Sequence, residues 1–289
     1  MSASSLSTRR SFLRRFVRGA LWTSIASGGG AYGYARMIER HHPVIERARV
    51  SLKNLGTAFE GSRIVQISDL HVEPNLNPAL LHKAVEMING LQPDLIAITG
   101  DFITHNARLV AELTAPLAEL KARTGVFASL GNHDVWNAPR RITEALTHHG
   151  IQVLTNSGVA LTQDHAQLWV AGIDSAWAGD IDLPAALKGR AKGAPCIMLG
   201  HEPDYADELA QRSSNLIHLA GHTHGGQVCL PGGQPLMLPT LGKKYARGLF
   251  QVGRISLYVN RGLGTIGPKA RFACSPEITE ITLTNASGA

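Results

Sequence analysis

The chain has 289 residues, of which 44% are apolar and 17% charged. These are values of a globular protein with a full core, and with no fixed-period self-similarity they exclude long disorder and a repeat array. The net charge of +6 hints at a polyanionic partner, but five arginines fall in the first eighteen residues without an acid, and removing those five leaves +1 for the rest. A near-neutral body has no general pull on nucleic acid, and none is expected as a partner.

In chain order, Thr8-Arg9-Arg10-Ser11-Phe12-Leu13-Arg14 comes first. It resembles a twin-arginine export signal. An uncharged run follows from Gly19 to Ala35, broken by Ser24, Ser27 and Gly28-Gly29-Gly30. Such a weakly apolar run suits a signal core better than a stable span. Small-x-small cleavage candidates stand at Ala26-Ser27-Gly28 and Ala31-Tyr32-Gly33. Residues 1–36 are therefore expected to be a twin-arginine-type signal or an N-terminal membrane anchor. The positive flank stays cytoplasmic, which puts the body in the periplasm or on the outer face of the cytoplasmic membrane. The alternative is a basic amphipathic segment on the cytoplasmic face.

Residues 37–60 read as a polar connection with one strand-like stretch, Ala48 to Leu52, and 61–289 as the main domain. Short, continuously apolar runs suit strands buried on both faces: Arg63–Ser68, Asp94–Thr99, Val126–Leu130, Ile197–Leu199, Leu216–Ala220 and Ile255–Val259. Helical spacing predicts helices over Pro78–Leu91, Ala107–Ala122 and Pro139–His149, and a fourth starting near Pro203. Alternating strand and helix argues for α/β layers. Val159–Leu161 and Leu168–Ile173 are strands without an intervening helix and suggest a second, more antiparallel sheet.

Five of these strands end in residues that can hold metal. Asp69 and His71 follow the first, where the i, i+2 spacing of an extended chain would aim both at one ion. Gly100-Asp101 closes the second, Gly131-Asn132-His133-Asp134 the third, Gly200-His201 the fourth and Gly221-His222-Thr223-His224 the fifth. An open α/β sheet builds its sites at such an edge. Each piece alone is weak, because Asp-x-His and Gly-Asp recur by chance. The ordered set of five is not a coincidence. The eight other histidines (His41, His42, His82, His105, His148, His149, His165 and His218) read as ordinary core or surface residues.

This series resembles the calcineurin-like metallophosphoesterase superfamily from about residue 45 to the C-terminus. With the leader, it is most similar to the YkuE-like, membrane-associated branch, which includes UDP-2,3-diacylglucosamine pyrophosphatases. The resemblance implies a two-sheet α/β/β/α sandwich. It implies that Asp69, His71 and His224 hold one metal, that Asn132, His201 and His222 hold a second, and that Asp101 bridges them. His133 would stabilise or protonate the leaving oxygen. Two divalent ions roughly 3.5–4 Å apart can lower the pKa of a shared water and stabilise charge developing on phosphorus. Imidazole and oxygen ligands without thiolate argue for Mn, Fe or Zn, and four histidines disfavour Mg. Asp134 would orient His133, lie at the surface or cap a helix. The Asp-Arg-Gly of protein serine/threonine phosphatases is absent, since the chain reads Asp101-Phe102-Ile103-Thr104.

Downstream, Pro231–Gly248 mixes apolar residues with Lys243, Lys244 and Arg247, candidates for a substrate's second phosphate or an anionic membrane surface. Arg261, in Asn260-Arg261-Gly262, is a candidate phosphate clamp. Cys196, Cys229 and Cys274 are too few and too scattered for a disulfide framework and read as buried thiols. The expected function is hydrolysis of a phosphodiester or phosphoanhydride, lipid-linked substrates included, by attack of a metal-bridged hydroxide. The first alternative is a cytoplasmic-side UDP-2,3-diacylglucosamine pyrophosphatase. A catalytically silent binding scaffold is the second, and the filled ligand positions count against it.

Overall fold

A computed structural model describes residues 28–72 and 78–286. The arginine motif at 8–14 lies outside the described residues. Among those described, no helix is long and apolar enough to cross a membrane. Two six-stranded sheets form the body. The first holds β1 (Val44–Leu52), β2 (Arg63–Ile67), β3 (Leu95–Thr99), β4 (Gly125–Ser129), β5 (Ile151–Val153) and β12 (Glu277–Asn285), in the order β1-β12-β2-β3-β4-β5. The second holds β6 (Ser157–Gln163), β7 (Ala166–Gly172), β8 (Cys196–Leu199), β9 (Leu216–Ala220), β10 (Gly248–Val252) and β11 (Ile255–Val259), in the order β10-β11-β9-β8-β7-β6. β2 to β5 run parallel in the first sheet, and β7, β8, β9 and β11 in the second. The second sheet has antiparallel strands at both edges, β10 and β6.

Strand alternation sorts the core into three layers. On β2, Ile64 points between the sheets while Val65 and Ile67 point outward under the helices. On β9, Ile217 and Leu219 face the first sheet, and Leu216 and Ala220 face away. Burial on both faces explains the unbroken apolar runs. The outer face of the first sheet is covered by α2 (Pro78–Gly90), α3 (Val110–Leu117) and α5 (Pro139–His148), and that of the second by α6 (Leu183–Ala186) and α7 (Ala206–Arg212). The result is a helix–sheet–sheet–helix sandwich.

Several boundaries differ from the sequence expectation. The Ala107–Ala122 helix is a 3-10 turn, Ala107–Leu109, running into α3, which stops at Leu117. Its Pro116 offers no N–H to continue the ladder. A short helix, α4 (Asn132–Asn137), opens directly at the third motif. β12 was not anticipated, although it inserts between β1 and β2. Residues 37–60 carry a longer strand than expected, because β1 pairs with β12 along its whole length from Val44 to Leu52. Residues 28–37 form a helix, α1, which includes the Ala31-Tyr32-Gly33 cleavage candidate. The Ala35 carbonyl accepts the Arg271 N–H, and the buried Glu39 carboxylate accepts the N–H groups of Ala273 and Cys274.

Candidate metal centre

The carboxyl ends of β2, β3 and β4 meet those of β8 and β9 at one end of the sandwich. There the motif residues converge. Asp69, His71 and His224 form one group able to hold an ion, and Asp101, His201 and His222 a second. All six are buried. Asp101 Oδ2 lies 3.3 Å from His71 Nε2 and 3.1 Å from His201 Nε2, so it stands between the two groups. His224 Nε2 lies 3.3 Å from Asp69 Oδ1. The His71 and His224 rings stack at 4.9 Å.

The local geometry departs from the extended chain expected of Asp69 and His71. β2 ends at Ile67, and both residues have positive φ, 51° and 46°. Asp101, His222 and His224 share this left-handed conformation, at 55°, 71° and 51°. Five of the seven ligand candidates thus sit in a region that side chains rarely adopt, though Asp and His tolerate it better than most. Strain of this kind costs about 1–3 kcal/mol per residue and survives only where the surroundings enforce it. Here the loops are pinned to one another. Asp69 N–H donates to Gly100 O, His71 N–H to Asp101 O, Gly221 N–H to His201 O and Gly264 N–H to Asp69 O. Gly131 and Gly221 are required by close approach. A Cβ on the first would run into the Asp101 carboxylate, and on the second into Ser68 and Asp69.

Hydrogen bonds behind the rings fix which nitrogen faces inward. His201 Nδ1 is 2.7 Å from Thr99 O and His222 Nε2 is 2.8 Å from Thr240 O. A carbonyl only accepts, so both nitrogens carry protons and the opposite ones are left as lone-pair donors. His71 Nδ1 meets Thr104 Oγ1 at 3.2 Å. The inward atoms His71 Nε2, His201 Nε2 and Asn132 Oδ1 are buried and make no hydrogen bond among the described residues, the two imidazole nitrogens facing Asp101 Oδ2. Orphaned polar atoms in one place are costly unless something else satisfies them. Divalent cations do so, and imidazole and oxygen donors suit Mn, Fe or Zn. Burial disfavours charge on His201 and His71, yet the facing carboxylate of Asp101 outweighs it and raises both pKa values. Burial works against the Asp101 carboxylate too, but the two imidazoles hold it well below the usual range. Burial and the neighbouring imidazoles instead lower the pKa values of His222 and His224, so positive charge is favoured only beside Asp101.

His133 lies beside the centre, its ring edge-on to His71 at 5.1 Å. Its Nδ1 donates to Thr104 O at 2.9 Å, which turns Nε2 toward the cavity. Asp134 does not orient it. Fully buried, that carboxylate accepts the N–H groups of Gly131, Phe102 and Ile103, so it caps α4 and braces the Asp101 loop. Burial and the nearby Asp101 push its pKa up to about 7.

The four cations expected to meet substrate are not at the cavity. Arg261 Nη2 bonds Glu46 at 2.6 Å and its Nε bonds Glu277, joining β1 and β12 to the loop after β11. The Lys244 ammonium is held by both oxygens of Asp207, and Arg247 donates to Gly233 O. Lys243 is exposed, with its backbone N–H on Asp204. Local carboxylates and carbonyls were within reach, and sequence spacing could not reveal them. The cysteines are all buried and free. Cys229 and Cys274 both point at Gly225 O, while Cys196 lies in β8.

Three features had no sequence signal. Trp136 and Trp177 meet edge-on at 5.0 Å over the mouth, one touching His133 and the other His222. Arg271 is completely buried and donates to the carbonyls of Arg261, Gly262, Gly264 and Cys274, fastening the loop that pins Asp69. The third is the cavity, about 770 Å³, whose walls include His71, Asp101, Asn132, His222 and His224 of the metal candidates and Ala31, Tyr32 and Ala35 of α1.

A two-sheet sandwich with paired carboxylate–histidine groups at its strand ends defines a metal-dependent hydrolase. The chain belongs to the calcineurin-like phosphoesterase family, whose model matches residues 62–226. It is 36% identical to the metallophosphoesterase YkuE of Bacillus subtilis (strain 168), over 96% of this chain and 97% of that one. It is 30% identical to the phosphodiesterase YaeI of Escherichia coli (strain K12), over 93% and 98%. A Danio rerio transmembrane protein with a metallophosphoesterase domain is 32% identical over 84% of this chain and 58% of its own length. The protein is a metal-dependent phosphoester hydrolase.

Proposed function

We propose that the chain hydrolyses a phosphodiester or phosphoanhydride at a two-metal centre held by Asp69, His71 and His224 on one side, by Asn132, His201 and His222 on the other, and by Asp101 between them. The observation that carries this reading is the pair of buried groups with Asp101 Oδ2 between them and unpartnered inward donors around it. Two divalent ions bound there would supply Lewis acidity for the phosphate and for an attacking water. The protein does the rest. Thr99, Thr104 and Thr240 hold the imidazole rings in one orientation. Asp101 Oδ1 takes the His133 N–H at 3.0 Å, which seats that residue against the centre. His133 would then give a leaving oxygen its proton from Nε2 only as the imidazolium, because in the neutral ring the proton sits on Nδ1 against Thr104 O. Two carboxylates against two divalent ions leave the centre cationic, which favours a phosphate.

The leader reading belongs to the same proposal. A twin-arginine signal would deliver this site to the outer side of the membrane. Fusing residues 1–40 to a reporter that works only after export tests it, and a reporter confined to the cytoplasm rejects it. Catalysis is tested with the full chain loaded with Mn, comparing bis-p-nitrophenyl phosphate with p-nitrophenyl phosphate. Diester turnover that disappears in Asp101→Ala is expected. A folded, metal-loaded protein that cleaves neither ester contradicts the proposal.

A further inference from the structure

The metal candidates occupy only one end of the cavity. Beyond them the walls are Ala31, Tyr32 and Ala35 of α1, Leu236 to Pro239 on one loop, and Ile266, Pro268, Ala270 and Phe272 on another. Among the described residues, no lysine or arginine lines this space. Apart from the metal end and the two tryptophans, its polar handles are Tyr32, Thr223 and Gln227. Gln227 is already engaged, donating to Ile266 O and Pro268 O. Among the described residues a second phosphate or a sugar would find few partners here, and burying its polar groups unpaired would be costly. Of the lining residues, Tyr32, Leu236 and Met237 are exposed, Met237 by 81%. Apolar side chains gathered at one rim mark a contact with apolar material.

Because one cavity holds both ends, a group carried by a phosphate at the metal centre can lie between these walls. We infer that the substrate is an amphiphilic phosphoester, with its aliphatic chain lying in the groove between α1 and the 236–239 and 266–272 loops. This rests on the phosphoesterase reading above and names the substrate class. It gives α1 a role. The helix is tied through Ala35 and Glu39 to the 271–274 segment, so the wall stays registered with the loops that Arg271 fastens. The apolar rim lets a chain slide in from a lipid phase without crossing water.

The test uses the full chain in detergent-free buffer and two probes, p-nitrophenyl methyl phosphate and p-nitrophenyl octyl phosphate, below the micellar range. Each buried methylene is worth about fourfold in affinity. The octyl ester should therefore show a KM lower by at least about tenfold, with kcat similar. Calorimetry with octylphosphonate and methylphosphonate reads the groove without turnover and should show the same ratio. Leu238→Asp should remove the preference. Met237→Asp, at a site too exposed to affect folding, should reduce it. Equal KM values for the two esters, or equal affinity for the two phosphonates, overturn the inference while leaving methyl-ester turnover to support the catalytic reading. Should neither ester react, the catalytic reading fails, and the phosphonate ratio decides the groove on its own.

Discussion

At and behind one end of the cavity, seven polar residues are buried where five strands end, most of them in a left-handed backbone held by loop-to-loop hydrogen bonds. At the other end the walls come from α1 and two long loops, and they are apolar and partly exposed. The first region is rigid and expensive to build. The second rests on ordinary packing. Reaction type follows from donor atoms that must be placed to a fraction of an ångström. Selectivity for what the phosphate carries follows from the shape and polarity of a surface that tolerates variation.

Substitutions should separate the two regions sharply. Asp101→Ala removes the carboxylate that stands between the groups. It should lower kcat/KM by about a thousandfold, or about 4 kcal/mol, with at least one metal lost by elemental analysis. Arg271→Met lies outside the donor set but strips several buried carbonyls of their partner. It should destabilise the fold by about 3 kcal/mol in urea unfolding and weaken metal binding, because the loop over Asp69 loosens. Thr104→Val unlocks the His71 ring, and metal affinity should fall by about tenfold to a hundredfold in a competition titration. The smallest effects are expected where the sequence had placed phosphate clamps. Lys243→Ala should leave KM for bis-p-nitrophenyl phosphate within about twofold. Arg261→Gln should cost about 1–3 kcal/mol of stability through its lost ion pairs, with KM again little changed. A KM rise of tenfold in either would return the cations to the substrate.

The metal end was legible because its chemistry repeats in order along the chain. Asp69, Asp101, Asn132, His201 and His222 each follow a short apolar run, and the runs themselves announce strands buried on both faces. What was legible as ligand identity was not legible as conformation, since the positive φ of Asp69 and His71 depends on the neighbouring loop accepting their bonds. The partner of a charged side chain was equally hidden. Arg261 and Lys244 look alike as free cations in sequence, and only the fold brings Glu46, Glu277 and Asp207 beside them. The groove had no periodic signature because three distant segments supply one wall each. β12 was overlooked although Glu277–Asn285 alternates, its buried Ile278, Ile281 and Leu283 falling in two different core layers.

The central claim is that the two buried groups hold two ions flanking Asp101. The most direct measurement is anomalous diffraction at the Mn absorption edge from crystals of the full chain grown with Mn. Two peaks about 3.5–4 Å apart, with Asp101 between them, are predicted. One peak, or none, in a crystal that preserves these side-chain positions would contradict the two-metal centre.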